Sequence, residues 1–168
     1  LRKGGEIDRL CLKSPSTRPP NLVVLCAISG SMATYARIMM HFLHTLTWAN
    51  HLGWGRIHGF TFGTRLTNIT RALACKDIDQ ALMALGHKAP DWQGGTRIGE
   101  ALCRFNRDWS RRVLGHGAVV LLITDGLERG DVAMLRDEAA RLGRSCRRLI
   151  WLNPLLRWQG FAPKAAGI

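Results

Sequence analysis

Short apolar runs alternate along this chain with longer stretches whose apolar residues recur every three or four positions. Leu22 to Cys26 and Ala118 to Ile123 are continuously apolar. Uninterrupted runs of that length are predicted strands of a parallel sheet covered on both faces. Ile57 to Phe62 and Arg148 to Leu152 read as two more strands, and Leu66 to Thr70 as a short one after Gly63. Between them, Tyr35, Met39, Phe42, Leu43 and Leu46 mark an amphipathic helix that starts after Met32. Ile78, Ala81, Leu82 and Leu85 mark a short helix that Gly86 can end. A third follows Gly94-Gly95 with Ile98, Leu102, Phe105, Trp109 and Val113 on one face; a fourth carries Val132, Leu135, Ala139 and Leu142. Strand and helix alternate throughout. The expected fold is therefore α/β, a three-layer sandwich with a mainly parallel sheet and helices on both faces.

Length adds one constraint: 168 residues, 46% of them apolar, make one compact domain. Residues 1–20 are polar and basic and end in Ser14-Pro15-Ser16-Thr17-Arg18-Pro19-Pro20, a segment unfit for a helix or a central strand. They read as a linker into a domain spanning 21–168. Cys11, Cys26, Cys75, Cys103 and Cys146 are odd in number, widely spaced and mostly set among apolar residues, as reduced core thiols of a cytosolic protein would be. No pair has metal-ligand spacing. There is no charged-then-apolar leader and no long uncharged apolar stretch, so neither secretion nor membrane spanning is supported. The expected location is cytoplasmic, free or held peripherally on the inner face of the membrane. Net charge is +12, with basic residues concentrated between Arg141 and Arg148, which favours acidic partners.

In a sheet of this kind ligands bind beyond the carboxyl ends of the strands. Ser29 and Ser31 follow the first strand, Thr96 follows the double glycine, and Asp125 closes the Ala118 to Ile123 strand. Hydroxyls and a carboxylate gathered there are hard oxygen donors of the kind Mg²⁺ accepts together with retained waters. Each also has a plain structural reading. The serines and Thr96 stand where helix caps stand, and Asp125 precedes a glycine as turn residues do. The histidines form no convincing ligand set. Ser29-Gly30-Ser31 is not a nucleophile elbow, because Ala27 and Ala33 occupy positions where that turn needs glycine.

Taken in order, Ala27-Ile28-Ser29-Gly30-Ser31, then Thr96, then Asp125 resemble the metal-ion-dependent adhesion site of the von Willebrand factor A (VWA) fold, whose pattern begins Asp-x-Ser-x-Ser. More narrowly, several blocks are similar to the CoxE-like branch of that family. They are Phe60-Thr61-Phe62-Gly63-Thr64-Arg65-Leu66-Thr67, Asp91-Trp92 to Gly99, Phe105-Asn106 with Trp109, and Leu149-Ile150-Trp151-Leu152-Asn153-Pro154. The resemblance covers Leu22 to the end. It implies a non-enzymatic adaptor that works with a MoxR-type AAA+ ATPase in maturing a molybdenum hydroxylase such as carbon monoxide dehydrogenase. It also implies a divalent cation, Mg²⁺ or another, held by Ser29, Ser31, Thr96 and Asp125, with Trp92 and Arg97 of the neighbouring loop as partner contacts. Ala27 stands where the family has its first carboxylate, so metal binding is expected to be weak or absent. VWA domains usually end in a further helix and edge strand, and residues 155–168, rich in Gly, Pro and Ala, are expected to lack that strand, as in a chain truncated at its carboxyl end. The rival expectation, resting on the basic charge, is a nucleic-acid-binding VWA-like module.

Overall fold

A computed structural model describes residues 18–29, 32–49, 53–75, 96–115 and 117–154. Ser31, Trp92, the helix expected from Ile78 to Leu85, Cys11, His51, His87, His116, most of the expected linker and residues 155–168 lie outside the described residues. The described elements are β1 (Leu22–Ala27), α1 (Ala33–Trp48), β2 (Ile57–Phe62), β3 (Leu66–Asn68), α2 (Thr70–Leu73), α3 (Ile98–Asp108), α4 (Ser110–Val113), β4 (Val119–Ile123), α5 (Val132–Ser145) and β5 (Arg148–Leu152).

All six residues of β1 are buried, which is why its run has no polar member: both faces are covered. It is the middle strand of a five-stranded sheet ordered β3-β2-β1-β4-β5, parallel except for β3, which pairs antiparallel with β2. Register puts Leu25 between Phe60 and Leu122, and Cys26 between Thr61 and Ile123. One sheet face, carrying Phe60 and Phe62, is covered by α3 to α5. Phe60 meets Phe105 of α3 edge-on, with ring centroids 5.2 Å apart, and meets Trp109 at the same distance. The other face receives α1 and α2. There Gly59 lets α2 come so close that a Cβ would stand 2.5 Å from Leu73 Cδ1. Helices on both faces of a mainly parallel sheet bear out the expected α/β sandwich.

Four local expectations need correction. Thr70 opens the short helix α2 instead of closing β3, its amide taken by the Asn68 side chain at 2.9 Å. The helix drawn through Trp109 to Val113 breaks at Trp109, where the Ser110 hydroxyl donates back to the Asn106 carbonyl at 2.6 Å and competes with the helical ladder. Phe42, assigned to the inner face of α1, is 47% exposed, because Met40 and Leu43 turn inward instead. Of the expected core thiols among the described residues only Cys26 is buried, its pKa pushed up to about 12 by desolvation; Cys75 is exposed, and Cys103 and Cys146 are half-buried.

Asn106 is a buried polar residue with a purpose. Its amide donates to the Glu138 backbone carbonyl at 3.0 Å and to the Glu138 carboxylate at 2.7 Å, tying α3 to α5. On β5, Leu149 and Trp151 point toward α5, whereas Ile150 and Leu152 are exposed on the other face. β5 is an edge strand among the described residues. No described helix is long and apolar enough to cross a membrane.

Candidate functional site

β1, β2 and β4 run in the same direction, so the loops that follow them emerge together at one end of the sheet. Ile28 donates its amide to the Phe62 carbonyl at 2.8 Å, which carries the β1 register one residue past the strand. Ser29 follows and is buried. The Arg97 amide reaches the Gly63 carbonyl beyond β2, and the Arg129 amide reaches the Thr96 carbonyl, both at 3.3 Å. Thr96, 4% exposed, is thereby held between the loops after β2 and β4. Asp125, 2% exposed, sits in the loop after β4. Three of the four expected ligand residues thus occupy one end of the sheet; the fourth, Ser31, lies outside the described residues.

The residues immediately before α1 and α3, Met32 and Arg97, make no side-chain capping bond. Asp125 does act as a turn residue: its Oδ1 accepts from the Leu127 amide at 3.1 Å, beside Gly126 at φ 76°. Its carbonyl accepts from Asn153 Nδ2 at 3.0 Å, and the Thr124 amide donates to the Leu152 carbonyl at 3.1 Å, so the end of β5 braces this loop.

Sequence reading missed Glu128. Its carboxylate accepts the Gly99 amide at the start of α3, at 2.8 Å, and also the Gly130 amide of its own loop. A carboxylate from one loop thus caps a helix supplied by another, where it meets both exposed amides and the positive end of the helix dipole. The only signal was an acidic residue three positions after Asp125, and its partner was not readable. Glu128→Gln leaves one carbonyl oxygen for two amides. It is expected to cost about 1–2 kcal/mol, seen as a lower denaturation midpoint with an unchanged slope. An unmoved midpoint would show the cap to be idle.

Arg97 stands at the rim, pairing with Glu100 at 3.0 Å while half-exposed. Such a pair adds little stability and leaves a guanidinium facing outward. Ala27 is fully buried, and by register with Phe62 its side chain lies on the face that α3 covers. A divalent cation would therefore find one carboxylate, on Asp125, and the hydroxyls of Ser29 and Thr96. Among the described residues no three His, Cys, Asp or Glu side chains are grouped to hold a metal ion. These donors fit a divalent cation poorly.

The family description "VWA domain containing CoxE-like protein" matches residues 1–168. The chain belongs to this family. Solved structures with the same fold include manganese-loaded TRAP protein of Plasmodium vivax, 24% identical over 82% of this chain and 59% of that one, with a TM-score of 0.55. BatB of Bacteroides thetaiotaomicron is 19% identical over 80% of this chain and 66% of that one, at 0.53. Proximal thread matrix protein 1 of the mussel byssus, with a zinc-occupied adhesion-site motif, is 18% identical over 79% of this chain and 37% of that one, at 0.53. The chain thus spans less than two thirds of the length of each. At these identities the likeness is one of fold. No curated protein matches the chain. In this CoxE-like VWA domain the family blocks acquire physical reasons: Phe60 and Phe105 meet edge to face, Asn106 joins two helices, and Asn153 braces Asp125.

Proposed function

We propose that this CoxE-like VWA domain is a non-enzymatic adaptor that binds a MoxR-type AAA+ ATPase. In this reading it presents a molybdenum hydroxylase, of the carbon monoxide dehydrogenase kind, to that ATPase for maturation. The observation that carries the reading is the family match over residues 1–168. The sheet end that holds Ser29, Thr96 and Asp125 supports it, because loops braced by backbone and carboxylate hydrogen bonds form a surface suited to binding. Arg97 at its rim, and Trp92 five positions before it in the sequence, are the contacts the partner would meet. Ser29, Ser31, Thr96 and Asp125 are the residues that would hold a cation, and with alanine at position 27 partner binding is expected to proceed without one.

The test is capture of the ATPase by the purified chain, with and without nuclease. Capture is expected to survive nuclease and to be unchanged by a chelator. Asp125→Asn keeps an acceptor for the Leu127 amide but removes the charge, and is expected to weaken capture by about tenfold. Capture that disappears with nuclease would replace the adaptor reading with nucleic-acid binding.

A further inference from the structure

At the opposite end of the strands from Asp125, a cleft of about 440 Å³ opens among Arg18, Asn21, Gly55, Arg56, His58 and Arg112. Its floor is firmly built. Asn21 is only 7% exposed; its Nδ2 donates to the Val113 and Gly115 carbonyls, each at 3.3 Å, and its Oδ1 accepts the Arg56 amide at 2.9 Å. The Arg56 carbonyl in turn accepts from the Leu22 amide at 2.9 Å, so both backbone polar groups of Arg56 are fixed. At Gly55 a Cβ would stand 2.8 Å from both Asn21 Oδ1 and the Pro19 carbonyl oxygen, so only glycine lets these segments meet.

Charge is what makes this cleft unusual. Three guanidinium groups and an imidazole line it, and among the described residues no carboxylate does. Among the described residues none of the three arginines forms an ion pair. Asp108, which feels the Arg112 charge, already pairs with Arg107 at 2.7 Å. Arg112 lies over the Trp109 ring, 5.9 Å from its centroid, which holds its planar group in place. His58 feels the result: burial first, and then the Arg56 charge, lower its pKa below the ordinary value. Like charges brought together in a recess repel one another unless an anion enters. Guanidinium forks match the paired oxygens of a phosphate in geometry and charge.

We propose that this cleft binds the phosphate groups of a small di- or triphosphate ligand. Its volume is that of a small-molecule site, with room beyond a single phosphate. A recess with a fixed floor suits a discrete ligand better than a nucleic-acid strand, which is tracked by an open basic stripe. The site is separate from the sheet end that holds Asp125, so it stands whether or not the adaptor reading does.

Inorganic pyrophosphate, titrated into the full chain at low ionic strength, tests the assignment by calorimetry and by the His58 imidazole signals in NMR spectra. One-to-one saturable binding is expected, with the His58 pKa rising as the bound anion offsets the Arg56 charge. Arg56→Ala and Arg112→Ala truncate exposed side chains and leave the Arg56 amide bond to Asn21 in place. Each is expected to weaken binding about tenfold or more, whereas Arg136→Ala on α5 leaves it unchanged. Failure to saturate, an unmoved His58 signal, or equal loss in the Arg136→Ala control would overturn the proposal. Citrate binding as tightly as pyrophosphate would assign the cleft to carboxylates instead. Arg56-dependent binding of a single-stranded oligonucleotide without binding of pyrophosphate would give it to nucleic acid.

Discussion

Ala27→Asp is expected to make the melting temperature of this chain depend on divalent cations, whereas with alanine at position 27 no such dependence is expected. Position 27 is fully buried at the end of β1, on the face beneath the start of α3. A carboxylate placed there without a cation loses its hydration, at a cost of about 3 kcal/mol or more. For a chain of this size that lowers the melting temperature by about 6–12 °C. Mg²⁺ or Mn²⁺ at about a hundred times its dissociation constant returns about 2.7 kcal/mol to the variant. Thermal melts of both proteins, with each ion and with a chelator, decide the matter. Equal loss in all conditions would mean that Ser29, Thr96 and Asp125 are not arranged as a latent cation site.

Gly99→Val is expected to destabilise the chain by about 3 kcal/mol and to disturb Thr96 from a distance. A Cβ on Gly99 would stand 3.0 Å from the Leu135 amide nitrogen and 3.2 Å from its Cα. Those are backbone atoms of α5, so relief requires one helix to move off the other. Movement of α3 also strains the Gly99 amide bond to Glu128, and with it the loop that holds Asp125. The effect should therefore overlap with that of Glu128→Gln, and the double variant should lose less than the two losses added together. Strict additivity in denaturation midpoints would show that the helix contact and the cap are independent.

Fold class was legible because β1 is buried on both sides, and β4 on one side and half-buried on the other, so both carry uninterrupted apolar runs. The positions of α1, α3 and α5 followed from apolar spacing. Spacing does not register competition from a neighbouring hydroxyl, so the break at Trp109 was invisible, and it does not fix helix rotation to one residue, so Phe42 was misplaced. Ser29, Thr96 and Asp125 were legible as a set because each follows a strand or precedes a helix at the end of the sheet where the loops after β1, β2 and β4 emerge. Glu128 and Asn153 were not, since each acts on a residue about 28 or 29 positions away and nothing local marks the pair. The same holds for the basic cleft. Sequence drew attention to the dense cluster from Arg141 to Arg148, whose arginines the structure leaves exposed to solvent. The convergence of Arg18, Arg56 and Arg112 needed the fold to bring them together.

The bracing of Asp125 by the end of β5 ties a deeply covered loop to the outermost described strand. Edge strands open first in native-state hydrogen exchange, because fewer contacts resist their fraying. When β5 lifts, the Thr124 amide loses the Leu152 carbonyl and the Asp125 carbonyl loses Asn153. Amides of the loop should thus exchange on the timescale of the edge, not of the central strands beneath them. The lifetime of the ordered loop around Asp125 is then governed from the rim of the sheet, and a strand added along β5 would lengthen it without touching Asp125.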